Sequence, residues 1–187
     1  YKNNNFIKHE RNEAGMQLLP EECVMYSAAG VCRFKEIVKR CFDGKNEREY
    51  MVLVPYASDK STYYVPCDMA DKKLRKLMSK EEIYALIDSI PDIEPCLCGD
   101  RNENKLIFNT VMKSDNCEKI FSLIKSLYLK QEDKLSSGGH LSATEENAMK
   151  AAEHMVYQEF AAVLGIAPEN VKEFIAGRIE NRQKSDT

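Results

Sequence analysis

The sequence predicts an α+β chain in which a small antiparallel β domain precedes an all-α domain, and three observations carry that prediction. Between residues 22 and 66 apolar side chains recur with the two-residue period of a strand, interrupted by short polar turns. From residue 79 onward the period lengthens to the roughly 3.6 residues of a helix. At Ser79 to Glu82 and again at Ser142 to Glu145, a serine is followed three residues later by a glutamate, the spacing with which a helix satisfies its own first amides.

Taken in order, residues 1–16 are polar and asparagine-rich and read as an N-terminal extension, with Met16 a candidate initiator. Val24-Met25-Tyr26 forms a short strand ended by Ser27 to Gly30. From Val31 to Phe42 apolar and polar residues roughly alternate, and Asp43-Gly44-Lys45-Asn46 turns the chain, because Asp-Gly tolerates the positive φ of a tight hairpin. Tyr50 to Val54 returns as a nearly unbroken apolar strand, and Ser61 to Val65 follows after the polar turn Ala57 to Lys60. Four short antiparallel strands of this kind suit an SH3-like or Tudor-like half-barrel with Ser61–Val65 at its edge. Pro66 closes that edge, since proline cannot donate to a ladder. Such an edge is either blunted, here by Lys60 and Pro66, or used to pair with a partner's strand.

The first capping box starts a helix with the stripe Ile83, Leu86, Ile87 and Ile90, which Pro91 and Pro95 end. A second helix covers Asn102 to Lys113 through Leu106, Ile107, Val111 and Met112. A third has Asp115 as its N-cap, runs to about Lys134, and carries Cys117, Ile120, Phe121, Ile124, Leu127 and Tyr128. Ser136 to Gly139 is a flexible break. The second capping box opens the longest helix, with Met149, Ala152, Met155, Val156, Phe160, Val163 and Leu164 inward and Gly165 as its C-cap. Pro168 begins a last helix that packs through Val171, Phe174, Ile175 and Ile179. The expected organisation is therefore an extension over 1–16, a β domain over 17–70, a helical domain of about five helices over 71–180, and a polar tail over 181–187.

The 187 residues are 43% hydrophobic and 30% charged with a net charge of -3, a globular composition without general attraction to polyanions. No apolar run approaches the roughly 20 residues of a membrane span, so no membrane partner is expected, and the N-terminus lacks the apolar core of a signal peptide. Seven cysteines without framework spacing point to a reducing cytoplasm. Cys96 and Cys98 could hold zinc with Cys67 or Cys117, but paired zinc ligands usually sit about two to four residues apart and no second close pair exists. Free thiols, with no metal and no cofactor, are the expectation. His9, His140 and His154 stand alone. Ser27 lacks the Gly-x-Ser-x-Gly pattern of a nucleophile elbow, and Asp68, Asp71, Glu81 and Glu82 read as helix-start charges. No catalytic constellation and no small-molecule substrate are expected.

Val24 to Val31, the Asp43-Gly44 turn, Glu49 to Leu53 and Tyr64-Val65-Pro66 closely resemble the RNA-polymerase-interacting domain of the CarD/CdnL family of bacterial transcription regulators. The same module occurs in transcription-repair coupling factor, a large helicase. The chain has no Gly-rich phosphate loop, so the stand-alone regulators are the better likeness. In the helical half, Asn109 with Lys113-Ser114, Leu127-Tyr128-Leu129, and Leu141-Ser142-Ala143 followed by Glu145 are similar to the family's C-terminal domain. The resemblance thus spans about Gln17 to Ile179.

What the resemblance implies is a division of labour. The β domain pairs with the β subunit of RNA polymerase, partly by strand addition, and the helical domain touches promoter DNA at the upstream edge of the transcription bubble. There a tryptophan wedge in the minor groove stabilises the open complex. Carried over, the polymerase-binding positions are Arg40, Phe42, Thr62, Tyr63, Tyr64 and Val65. Arg40 matches a functional arginine, Phe42 replaces an aliphatic contact, and Tyr64 stands where an arginine is common, an exchange between two good interface anchors.

On the DNA side the carried-over positions are Arg101, Asn102 and Lys105, and here the chain departs from the family. It contains no Trp, and Asn102 falls at the wedge position. Lys105 is retained, but Asn104 and Ile107 are not basic. Glu146 and Asn147 stand where the family tends to carry Lys or Arg, and a carboxylate repels phosphate. Seven basic residues against five acidic between Arg101 and Lys134 leave only a mild positive bias. The expectation is a CarD-like regulator that binds polymerase and modulates open-complex formation with weak or absent DNA contact. The alternative is an adaptor of the same fold with another partner and no role at promoter DNA.

Overall fold

A computed structural model describes the protein over residues 16–185, apart from 27, 43, 45, 59, 98–100 and 115 and the side chains at 101, 183 and 185. The expected extension up to residue 15, the Asp115 cap, Cys98 and the last two residues lie outside that description. The arrangement is α+β, an N-terminal sheet followed by helices.

Five antiparallel strands form one sheet in the order β4-β3-β2-β1-β5, with β1 at Cys23–Tyr26, β2 at Gly30–Arg40, β3 at Arg48–Pro55, β4 at Tyr63–Pro66 and β5 at Leu74–Lys76. The fifth strand corrects the expectation of four: it pairs with β1 through Met25↔Arg75 and lies past the expected domain boundary at residue 70. Two other boundaries differ. β2 stops at Arg40, so Cys41 and Phe42 belong to the 41–47 connection, which is longer than the tight turn expected. β4 starts at Tyr63, so Ser61 and Thr62 precede the strand.

The sheet core is Val24, Cys32, Phe34, Met51, Leu53 and Val65, joined by Ala70 and Leu74. The alternation predicted for β2 holds only as far as Phe34. There the register shifts from Phe34↔Leu53 to Glu36↔Val52, which leaves Lys35 as the extra residue of a β-bulge. The bulge changes which parity faces inward, so Glu36, Val38 and Arg40 turn to the opposite face from Cys32 and Phe34.

Two short turns, Cys67–Met69 and α1 (Ala70–Lys73), link β4 to β5. The helical half comprises α2 (Lys80–Ser89), α3 (Arg101–Lys113), α4 (Cys117–Ser136), α5 (Ala143–Leu164) and α6 (Val171–Ser185). Both predicted capping boxes form: Ser79 accepts from the Glu82 amide, and Ser142 from the Glu145 amide, with each glutamate reaching back. Gly165 adopts the left-handed conformation of a C-cap, φ 70°. α4 is capped by Asn116, whose side chain accepts from the Lys119 amide, and α6 continues through the expected tail to Ser185.

Helix faces depart from prediction at two places. Leu106 on α3 is 68% exposed while Phe108 turns inward, and Leu123 on α4 is fully buried while Tyr128 is 45% exposed. The segment after α2 is held by α4. Lys125 Nζ donates to the carbonyls of Ile90, Pro91 and Ile93 at 3.2, 2.6 and 2.8 Å, and the Ser126 hydroxyl accepts from the Cys96 amide at 2.7 Å. α6 is tied to α2 by a bidentate pair in which Arg178 donates to Asp88 at 2.7 and 2.6 Å while its guanidinium lies over the Tyr84 ring.

The two halves meet where β5 and β2 face the C-terminal third of α5. Glu159 of α5 is 0% exposed and accepts from both terminal nitrogens of Arg75, at 2.7 and 2.8 Å, and from the Met78 amide at 2.9 Å. Gln158 packs on Gly30, where a Cβ would stand 2.6 Å from Gln158 Oε1; the bare glycine, at φ 77°, permits that approach.

Candidate functional site

The β4 edge is built by the ladder Tyr50↔Pro66, Met51↔Val65, Val52↔Tyr64 and Leu53↔Tyr63, and no strand lies beyond it among the described residues. Alternation fixes what each side chain does. Tyr63 and Val65 face the core: Val65 is fully buried and Tyr63 is half-buried with its ring edge-on to Tyr26 at 5.6 Å. Their backbones belong to the edge, but the Val65 side chain is withdrawn from any partner. Tyr64 faces outward and Thr62 is exposed just ahead of the strand.

Phe42 crosses to meet Tyr64. Its ring lies 5.3 Å from Tyr64 and 4.9 Å from Tyr50, both edge-to-face, yet it remains 61% exposed. Three aromatic rings, Phe42 and Tyr64 exposed and Tyr50 half-buried, thus form a patch beside an open strand edge. Arg40 ends β2 on the same face, directly opposite Arg48. Like charges across a ladder repel each other, and a partner carboxylate placed there would relieve that repulsion. Arg40, Phe42 and Tyr64 are brought onto one face as the sequence suggests, whereas Tyr50 and Arg48 were missed. The signal for them was the register of a nearly unbroken apolar strand, in which only pairing reveals the outward side.

On the helical half, Asn102 and Lys105 are exposed on α3 and line an open depression of about 620 Å³. α4 contributes Lys130 and Lys134, and the turn into α5 contributes His140, Ser142 and Glu145. Lys130 donates to Glu145 at 2.5 Å. Burial pushes the Glu145 carboxyl up, but the Lys130 ammonium and the Ser142 hydroxyl and amide outweigh it and hold the group at about 2. Glu146 and Asn147 are exposed on α5. Lys130 and Lys134 did not stand out in the sequence, because only the packing of α3 on α4 sets them beside Lys105. The Arg101 side chain is outside the described residues.

The thiols are dispersed. Cys96 lies by Ser126, Cys117 Sγ is 3.7 Å from Glu159 Oε2, and Cys67 packs against the sheet core. Burial pushes the Cys32 thiol up to about 11. Among the described residues no three His, Cys, Asp or Glu side chains gather as a metal-ligand set, and no helix is long and apolar enough to cross a membrane.

Residues 18–78, which include all five strands, match the family described as CarD-like/TRCF RID domain. The chain carries a CarD-like/TRCF RID domain. That match over about a third of the chain supports a transcription-related protein that interacts with RNA polymerase, and the RID domain is a protein-interaction module of Tudor-like fold. No curated protein matches the chain. The matched span begins one residue after the start expected from sequence and runs through β5 to Met78, so the open β4 edge and the aromatic patch both lie within the RID domain. The helical half lies outside the match.

Proposed function

We propose that the RID domain binds the β subunit of RNA polymerase by adding a strand at β4, with Phe42, Tyr64 and Arg40 as its side-chain anchors. Through that contact the protein modulates formation of the open promoter complex in the cytoplasm. The observation that carries this reading is the open β4 edge flanked by a three-ring patch in which Phe42 and Tyr64 are exposed. Main-chain pairing supplies affinity in such a mode and alternate side chains supply specificity. Tyr64, two residues before Pro66, is the outward side chain in the middle of the edge.

In this reading the helical half contributes little direct DNA affinity. Lys105 and Lys134 are the cations of the depression not committed to Glu145, and Asn102 offers no ring to wedge between bases. A site making about two phosphate contacts gives a salt slope of about -2, far shallower than that of a dedicated DNA-binding domain.

The test is a pull-down of the isolated β-subunit lobe with wild type, Arg40→Glu and Tyr64→Asp. Retention by wild type and loss in both variants is the expected result. Retention in both variants moves the contact elsewhere. No retention by wild type points to an adaptor of the same fold with another partner. Permanganate footprinting of a promoter with and without the protein then reads its effect on melting.

A further inference from the structure

The contact between the halves is more specific than packing requires. One carboxylate, Glu159, gathers four chain segments. Arg75 reaches it from β5, the Met78 amide from the junction into α2, and Cys117 Sγ from the first residue of α4, while Glu159 itself stands in the C-terminal third of α5. Its neighbour Gln158 sits on Gly30 at the start of β2. Since β1 lies between β2 and β5 in the sheet, two consecutive residues of α5 grip the sheet on both flanks of β1. Met25 pairs with Val31 on one side and Arg75 on the other, and is 3% exposed although it faces away from the sheet core. A cleft lined by Met25, Met112 and Met155 continues this seam.

An apolar seam alone lets two domains slide or hinge. A buried carboxylate cannot, because sliding would strip its partners and leave an uncompensated charge. The bidentate geometry fixes direction as well as distance.

We propose that Glu159 is a positioning residue that locks the helical half to the RID domain as one body, so that docking at the β4 edge dictates where the helical half stands at the promoter. The second part rests on the polymerase reading above; the first does not. Two loosely tethered domains need no buried charge between them, and the same carboxylate spent inside either half would orient nothing.

The test is backbone 15N relaxation of the free full-length protein, wild type against Glu159→Ala, with Arg75→Met as a second variant that leaves the α5 residue in place. Wild type is expected to show one rotational correlation time for both halves. The variants, with both halves still giving dispersed spectra, are expected to show two. A single shared correlation time in folded variants overturns the proposal, as does separate tumbling in wild type. If Glu159→Ala does not fold, Arg75→Met decides by the same readout, since a role in stability alone lowers the unfolding midpoint without separating the two times. In the polymerase assay, β-lobe affinity stays within about twofold, as for distant sites, while the effect on promoter melting is lost. Failure of wild type to bind polymerase would break the functional reading and leave the relaxation result standing.

Discussion

The two edges of the sheet receive opposite treatment. β5 is drawn inward: its arginine is spent on a buried carboxylate of the helical half, while β2, on the far side of β1, packs against α5. β4 is left outside, with Tyr64 and Phe42 exposed on the same face as Arg40. An unprotected edge is a liability that folds usually blunt. In the proposed reading the edge whose arginine is tied to the helical half is structural, and the edge with exposed aromatic side chains beside it is the docking edge. The comparison also separates two kinds of residue, Arg75 at β5, which ties the halves together, and the outward-facing Tyr64 and Phe42 at β4, whose replacement is expected to leave stability nearly untouched.

That contrast can be broken by mutation. The largest effect is expected at the closed edge. Glu159→Ala leaves Arg75 facing a cavity and removes the partner of the Met78 amide, and should lower unfolding free energy in urea by about 3 kcal/mol. Replacing Arg75 and Glu159 together by methionine should recover much of that loss. At the open edge the order reverses: Tyr64→Asp should weaken polymerase binding at least about tenfold, as an interface anchor does. Its stability should change by about 0.5 kcal/mol or less. A Tyr64 variant that unfolds the protein, or an Arg75 variant that abolishes polymerase binding while folded, would erase the distinction.

Two smaller effects sharpen it from the helical side, away from both edges. Lys125→Met removes the ammonium that three carbonyls after α2 share, and should cost about 1 kcal/mol of stability with no change in polymerase affinity. The Lys130–Glu145 pair gives a pH signature. Glu145 is held at about 2, below its ordinary 4.5, so its stabilisation is present above 4.5 and is lost as pH falls toward 2. Acid titration of the unfolding midpoint should therefore be steeper in wild type than in Lys130→Met, by roughly 0.5 kcal/mol over that window.

Much of this architecture was legible in the sequence, because caps and periods are local. Ser79 with Glu82, Ser142 with Glu145 and Gly165 each announced a helix end through chemistry contained in four residues. β5 was not legible: three residues, Leu-Arg-Lys, are too few to show a period, and they are a strand only because β1 offers a ladder. The bulge at Lys35 was equally hidden, since alternation on each side of it looks regular and only pairing with β3 exposes the slip. Asn116 caps α4 by accepting from the Lys119 amide, a role that the sequence pattern alone did not mark out.

The candidate site divides along the same line. Arg40, Phe42 and Tyr64 could be named from the resemblance, but that Phe42 leaves its strand and reaches Tyr64 depends on the 41–47 connection. Glu159 did leave a trace, a carboxylate at a position that the stripe of Val156, Phe160 and Val163 reserves for apolar side chains. Its partner on a strand 84 positions away could not be read from periodicity.

The shortness of β4 bears on how long any complex built there would last. Four residues ending in proline can give an added strand only a few backbone hydrogen bonds, each worth about 1 kcal/mol net. The ladder therefore sets orientation, and the residence time falls to the Phe42 and Tyr64 rings. An attachment made this way lets go quickly, which suits a factor needed at one stage of a process and discarded at the next.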